Sequence, residues 1–405
     1  MTPTPTPDSQ RNVCLLVAAQ SLGGAAPPIL ISLGGLVGQM LSGSPSLATL
    51  PVSLYHLGLA LSTIPAALLM RRLGRRAAYA LGALLGVASG LIAALGVVQG
   101  SFATFCVGTA MAGFYGACVQ NYRFAASDAV APAQRPQAIS RIMIGGLIAA
   151  VIGPQLVFWT RDLWPTAPFA GSFVGQAALA LLALPLLLML RTAPPQAEQA
   201  TGPARSLGTI ARTPRFIVAV TAGVVSYGLM SFIMTAAPMA MVGCGHTIGE
   251  AALGIQWHVL AMFAPSFFTG RLIARWGKLP VTALGLALIA ASGLLALAGL
   301  ELLHFWGSLI LLGVGWNFGF IGATAMVTET YTASERAKVQ SLNDFLIFGT
   351  VAVASFSSGH LLGASGWDAI NALMLPLVGV VLMVLGGFAW RERARTSGVA
   401  SSASR

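Results

Sequence analysis

A chain of 405 residues that is 56% hydrophobic and 8% charged, with a mean hydropathy of +0.81, lacks the polar residues to cover a water-soluble globule of its size. Its setting is a lipid bilayer. The 22 Lys and Arg against 11 Asp and Glu give a net charge of +11, which would suit a nucleic-acid partner if the cations formed one patch, but they are dealt out to alternate loops.

A spanning helix needs roughly 20 mostly apolar residues. Twelve such runs follow one another, at about 13–41, 49–70, 77–99, 102–123, 139–159, 169–190, 215–242, 249–270, 279–300, 304–327, 339–361 and 367–389. Residues 1–12 read as a short disordered tail with no cleaved signal. The cations then recur on one side: "RRLGRR" at 71–76, Arg123 with Arg135 and Arg141, Arg191 to Arg215, "GRLIARWGK" at 270–278, "ERAK" at 335–338 and "RERAR" at 391–395. With both termini on that side, every Lys and Arg except Arg161 joins them, and the positive-inside rule makes the side cytoplasmic. Of the four cysteines, Cys14, Cys106 and Cys118 fall inside helical runs and Cys244 near a helix end, so no disulfide framework is expected.

The Pro-, Ala- and Arg-rich stretch 191–214 reads as a linker between two six-helix bundles at 13–190 and 215–390, with 391–405 a tail. The halves echo each other. "ALLMRRLGRR" answers "GRLIARWGK", each a basic turn around Gly74 or Gly277, and "AQRPQAIS" answers "SERAKVQS". Repeats of this kind point to a transporter with its site between the bundles. No Walker loop and no hydrolase-like acid/base pair is present, so the chain reads as no enzyme and no nucleotide-driven pump.

At Ala67, Arg71, Arg72, Gly74, Arg75 and Arg76 the chain resembles the major facilitator superfamily, whose second-to-third-helix loop has the form G-x-x-x-D-R-x-G-R-R. The second copy keeps Gly270, Arg275, Gly277 and Lys278, with Ala274 in the acid's place. The resemblance implies an all-α membrane protein, twelve transmembrane helices in two bundles, working as a monomer. Arg72, Gly74 and Arg75 then take gating places, and ion pairs among Arg123, Asp128 and Asp344 at the same end are expected to replace the missing acids. A helix-5 motif of exporters is part-present in Gly145, Gly146, Gly153 and Pro154, which close backbone approach also explains.

Two i,i+4 pairs place soft donors on single helix faces: Met230 with Met234, and His258 with Met262. Thioether and imidazole suit copper and suit Mg²⁺ or Ca²⁺ badly. Methionine is equally a filler of apolar cores, and a membrane histidine is also a proton group or an interhelical hydrogen bond. The two pairs resemble those of the CcoA-type copper importers of bacterial cytoplasmic membranes, which supply cbb3-type cytochrome c oxidase assembly. That resemblance implies copper import, with Met230, Met234, His258 and Met262 as ligands, Cys244 as an auxiliary thiol, no resident cofactor, and a copper acceptor inside or in the membrane as partner. His56 reads as a solvated histidine, with an outer copper station or a proton group as alternatives. "GWNFG" at 315–319 puts Asn317 where it bonds a neighbouring helix. The rival reading is a proton-coupled carrier of a small organic solute, a drug exporter or vitamin importer, in which His258 handles protons and the methionines pack.

Overall fold

The computed structural model describes residues 7–130, 135–191, 205–332 and 334–403, which form helices and no strand. The first bundle holds α1 (Pro7–Gly23), α2 (Ala26–Ser42), α3 (Leu50–Val98), α4 (Phe102–Asp128), α5 (Arg135–Thr160) and α6 (Ala170–Leu188). A short α7 (Leu207–Ala211) leads into α8 (Pro214–Gly243), α9 (Ile248–Phe263), α10 (Ser266–Trp276), α11 (Lys278–Leu297), α12 (Leu302–Val327) and α13 (Arg336–Ala403). Polar caps begin several of them. Thr213 accepts from the Phe216 amide with Pro214 at the first helical position, and Thr247 with Glu250 forms a capping box.

Helix breaks follow local chemistry. α1 and α2 form one 35-residue span, interrupted just before Pro27 and Pro28, and α9 and α10 form one span bent by 42° at Pro265, which has no amide hydrogen to give. The 54-residue span containing α3 would reach about 80 Å if straight, against a hydrocarbon core of about 30 Å. It turns back at Gly74, where φ is 79° and ψ 160°, a region that favours glycine. Both arms lie on α4: a Cβ on Gly113 would stand 2.5 Å from Tyr55 O, and one on Gly108 would stand 2.6 Å from Ala93 N. α13 turns back likewise at Gly366. Nine segments and the bent α9–α10 pair are long and apolar enough to cross a membrane, and with α3 and α13 each crossing twice the described residues give the expected twelve passes.

The two basic turns are structural copies. Gly277, with φ 90° and ψ 165°, repeats the conformation of Gly74. The cation after each glycine pairs with an acid at the end of the helix beyond: Arg75 with Asp128 at 2.5 Å, Lys278 with Glu329. Asp128 is thereby held inside its own bundle, whereas the sequence had suggested a gate pairing around Arg123; Arg72 is exposed.

The chain is helical from Pro7, earlier than the tail expected through residue 12. Asn12 donates to Arg191 O at 2.7 Å and accepts from Arg191 N at 3.1 Å, and Asp8 pairs with Arg191 at 2.8 Å, which ties the first turns down. Most of the expected linker, 192–204, lies outside the described residues. Its end is anchored. Arg205 makes a two-pronged pair with Glu335, Nε to Oε1 at 2.9 Å and Nη2 to Oε2 at 2.7 Å, while Glu335 also accepts from Thr332 N. These bonds, the Arg205 side chain's first, hold the Glu335 carboxyl well below the usual carboxylate range. A lowered folded-state pKa stabilises above the unfolded value of about 4.3 and is lost as pH falls through the folded one. Glu335→Gln is therefore expected to lower the melting temperature by about 5 °C at pH 7, with the difference from wild type fading in strong acid, as followed by thermal melts across pH.

Side-chain hydrogen bonds between the bundles lie toward the end remote from the arginines. Thr49 Oγ1 donates to Phe356 O at 3.1 Å, His56 Nδ1 lies 3.3 Å from Ser355 Oγ, and Gln155 Nε2 donates to Gln256 Oε1 at 3.0 Å. A Cβ on Gly35 would strike Met239, and one on Gly363 would strike Pro45. Toward the arginine end α10 buries only Thr269, and the ion pairs among the described residues stay within one bundle each. The hydrogen-bonded end is the closed one; at the arginine end the described ion pairs do not join the bundles.

Candidate functional site

The stretch "GWNFGF", 315–320, serves three neighbours at once. Gly315 and Gly319 abut α11, where a Cβ on Gly315 would lie 2.8 Å from Gly285 O. Asn317 is turned to α9 and α10, its Nδ2 donating to Met262 O at 2.6 Å and to Ser266 Oγ at 2.7 Å while its Oδ1 accepts from Thr269. That is the interhelical role expected of it. Trp316 and Phe320, one turn apart, stack at 5.2 Å with planes 15° apart.

Rings from three other spans complete a wall. Tyr227 of α8 stands edge-on to Trp316, Phe320 and Phe348, at 5.2, 5.1 and 5.7 Å. Phe263 of α9 meets Trp316 at 6.2 Å and lies 3.8 Å from where a Cβ on Gly146 of α5 would be, while Phe348 of α13 packs on the core of the first bundle. The wall therefore faces the junction of the bundles. Tyr227, Phe263, Phe320 and Phe348 are half-buried, and Trp316 is 7% exposed with an indole N–H that has no partner. One turn from Phe348, toward the arginine end, Asp344 interacts electrostatically across the junction with Arg123 of α4, which also feels Tyr227. No direct ion pair joins them, and Arg123 Nε is buried without a partner.

The polar cluster next to the closed end is also shared. Ser355 Oγ lies 2.8 Å from Ser231 Oγ, accepts from Thr235 Oγ1 at 3.3 Å, and faces His56, which is 5% exposed. His56 is thus no solvated residue at a helix mouth, because α3 leans onto α13 there. Sequence spacing gave no sign of this.

The expected metal donors pack in the second bundle. Met230 and His258 are fully buried, and Met234 and Met262 nearly so. His258 Nδ1 is 2.7 Å from Leu309 O, so the ring is turned onto α12 as an interhelical hydrogen bond. Cys244 is exposed at the C-cap of α8 and free. Among the described residues no three His, Cys, Asp or Glu side chains gather as metal ligands. Met230→Leu with Met234→Leu is expected to leave transport within about twofold of wild type, since Leu keeps most of the volume; an uptake assay at matched expression checks this.

A family model described as Major Facilitator Superfamily matches residues 12–321 and 222–404. Over 381 residues the chain is 61% identical to the riboflavin transporter RfnT of Brucella anthropi, covering 93% of this chain and 95% of that one. It is 30% identical to the uncharacterised transporter YdeG of Bacillus subtilis, over 93% and 90% of the two chains. Solved structures share the fold: the nucleoside transporter NupG, with a TM-score of 0.71 at 13% identity over 93% and 99%, and the human organic anion transporter MFSD10, with 0.68 at 14% over 94% and 100%. The expectation of copper import is overturned by the first of these relatives, and with it the assignment of copper as substrate and of a copper acceptor as partner. Met230, Met234 and Met262 lie packed in the second bundle, and His258 bonds α12 through Nδ1 while its Nε2 is buried without a partner.

Proposed function

Because the chain belongs to the major facilitator superfamily, we propose that it is a secondary transporter carrying riboflavin across the bacterial cytoplasmic membrane, inward, by alternating access between its two bundles. The observation that carries the reading is the 61% identity with a riboflavin transporter over nearly the whole chain. The site is chemically suited. Riboflavin is an uncharged, planar, three-ringed heteroaromatic on a polyol chain, and the bundle junction offers an aromatic wall beside a cluster of hydroxyls. With the arginine-rich end cytoplasmic by the positive-inside rule, the described conformation is the inward-facing one. Transport needs no chemistry on the substrate, and a gradient drives it.

The test is uptake of radiolabelled riboflavin by a riboflavin-auxotrophic bacterium without its own flavin transporter. Cells making the protein are expected to accumulate the label and to grow on low external riboflavin. Uptake no higher than in vector-only cells, at verified membrane expression, defeats the reading. Accumulation in everted vesicles but not in whole cells would reverse the direction.

A further inference from the structure

Arg161 is the one Lys or Arg that the charge pattern sets on the outer side, and the fold seats it in the seam where the bundles meet. We propose that Arg161 is the counterweight of the outer gate: its guanidinium is poorly accommodated when that end is closed, which keeps the closed form from trapping the carrier. The seam here is α5 against α9. Ile248 and Ala252, in the first turns of α9, pack into the first bundle's apolar cluster with Ile29, Leu33, Val157 and Phe173. A Cβ on Gly249 would lie 3.2 Å from the Phe158 ring and 3.6 Å from Arg161 Nη1, and two turns further in Gln155 donates to Gln256. Burying this apolar surface favours closure. Turnover needs both end states to be populated, so a seam that packs this well requires an opposing influence.

Two features of Arg161 supply it. Its Nη1 is buried without an acceptor, and a buried donor left unpaired forfeits its hydration. Its charge lies against the first turn of α9, where a helix presents the positive end of its dipole. The acid in that turn gives no relief. Glu250 is bonded to Thr247 N and Oγ1 in the capping box, and Arg161 is not among the groups that act on it. Among the described residues the ion-pair partner of Arg161 is its neighbour Asp162, through Nε. Nor is the backbone free to withdraw the side chain. Phe169, the one described non-glycine residue with a positive φ, 73°, donates its amide to Arg161 O at 2.7 Å and is itself held in the apolar cluster. Parting the bundles carries α9 away, opens Nη1 to water and takes the charge off the helix end. The penalty therefore belongs to the outer-closed state alone.

The experiment reads outer opening at a distance from Arg161. Thr49 is fully buried against Phe356 and Gly359 of α13, on the other seam, so a Thr49→Cys thiol meets an impermeant maleimide only when the outer end parts. The full-length protein, with its four native cysteines replaced by serine, is labelled from outside in washed right-side-out vesicles, and an exposed Leu303→Cys thiol serves as the control for reagent access. Arg161→Met keeps an apolar stem beside Phe158 and removes donor and charge. It is expected to slow Thr49→Cys labelling at least about fivefold, the worth of one unpaired buried donor, and to leave Leu303→Cys labelling unchanged. Arg161→Lys, whose ammonium turns to water more readily, should slow it by less, and carries the test if the methionine variant fails to fold. Faster labelling in the variants would make Arg161 a latch that holds the gate shut and overturns the proposal; an unchanged rate overturns it as well. No solute is added, so the result does not depend on what the protein carries, and failure of the riboflavin reading shows separately, in uptake.

Discussion

Asp344→Asn and Arg123→Gln are each expected to reduce the proposed riboflavin uptake by roughly ten- to a hundredfold, while the exchanged pair, Arg123→Asp with Asp344→Arg, recovers part of it. The two residues stand on opposite bundles, α4 and α13, near the arginine end, and they interact without a direct ion pair. Closing that end brings cation and carboxylate together at the moment water leaves between them. Two unit charges approaching to about 4 Å gain on the order of 1–4 kcal/mol between bulk water and a partly buried site. Desolvation takes back part of that. A carrier needs its two end states within a few kcal/mol, so losing such a bias strands the population in the form whose bundles are not joined at the arginine end. The arrangement predicts a split between readouts. Riboflavin binding to the inward-facing protein should change by less than about threefold, because the pair lies a helical turn beyond the aromatic wall, whereas uptake collapses. Equal loss of binding and uptake would make Asp344 a substrate ligand; full uptake in either single variant would remove the pair from the gate.

This pair also marks how far the sequence could be read. Hydropathy located the twelve passes because each is a long apolar run, bounded by charges at the arginine end and mostly by short Gly-, Ser- or Pro-containing turns at the other, and two glycines in copied basic turns exposed the repeat. Arg123, Asp128 and Asp344 stood out in the sequence as a set of charges beside apolar runs, and a gating role for them is an expectation. Their partners did not stand out. Asp128 is claimed by Arg75, 53 positions away, because α3 folds back beside α4. His56 looked solvated from its place near a helix start, yet the closed end of the bundles covers it.

The proposed substrate was the least legible feature, for a physical reason. A metal site announces itself through a few donor types at short spacing, so Met230, Met234, His258 and Met262 attracted notice; all four are buried in the second bundle. A site for an uncharged flat ring, as proposed here, needs only aromatic faces. Tyr227, Phe263, Trp316, Phe320 and Phe348 come from four spans, and each is an unremarkable residue in an apolar helix until the fold gathers them. Trp316 and Asn317 drew attention together, but their faces differ: one turns to the junction, the other ties α12 to its neighbours.

The glycines flanking them supply the second large effect. Gly285→Val is expected to abolish uptake and to lower both membrane yield and melting temperature, whereas Gly379→Ala is expected to behave as wild type. A Cβ on Gly285 would overlap Gly319 N and stand 2.6 Å from Gly315 O, both backbone atoms that cannot rotate away; around Gly379 nothing lies within 4 Å. In a bilayer, where lipid is as apolar as the side chains, close backbone contact across small residues is a main source of helix association, and overpacking it costs roughly 1–3 kcal/mol or more. The functional loss should exceed the loss of stability. Pushing α12 off α11 shifts the helix that carries Trp316 and Phe320 toward α8, so the aromatic wall narrows even in molecules that still fold. Gly285→Ala already sets a Cβ against the Gly319 and Gly315 backbone, so it should lower both yield and riboflavin binding, each by less than Val does. Wild-type binding in a well-folded Gly285→Ala protein would mean that the α11–α12 contact does not position the wall.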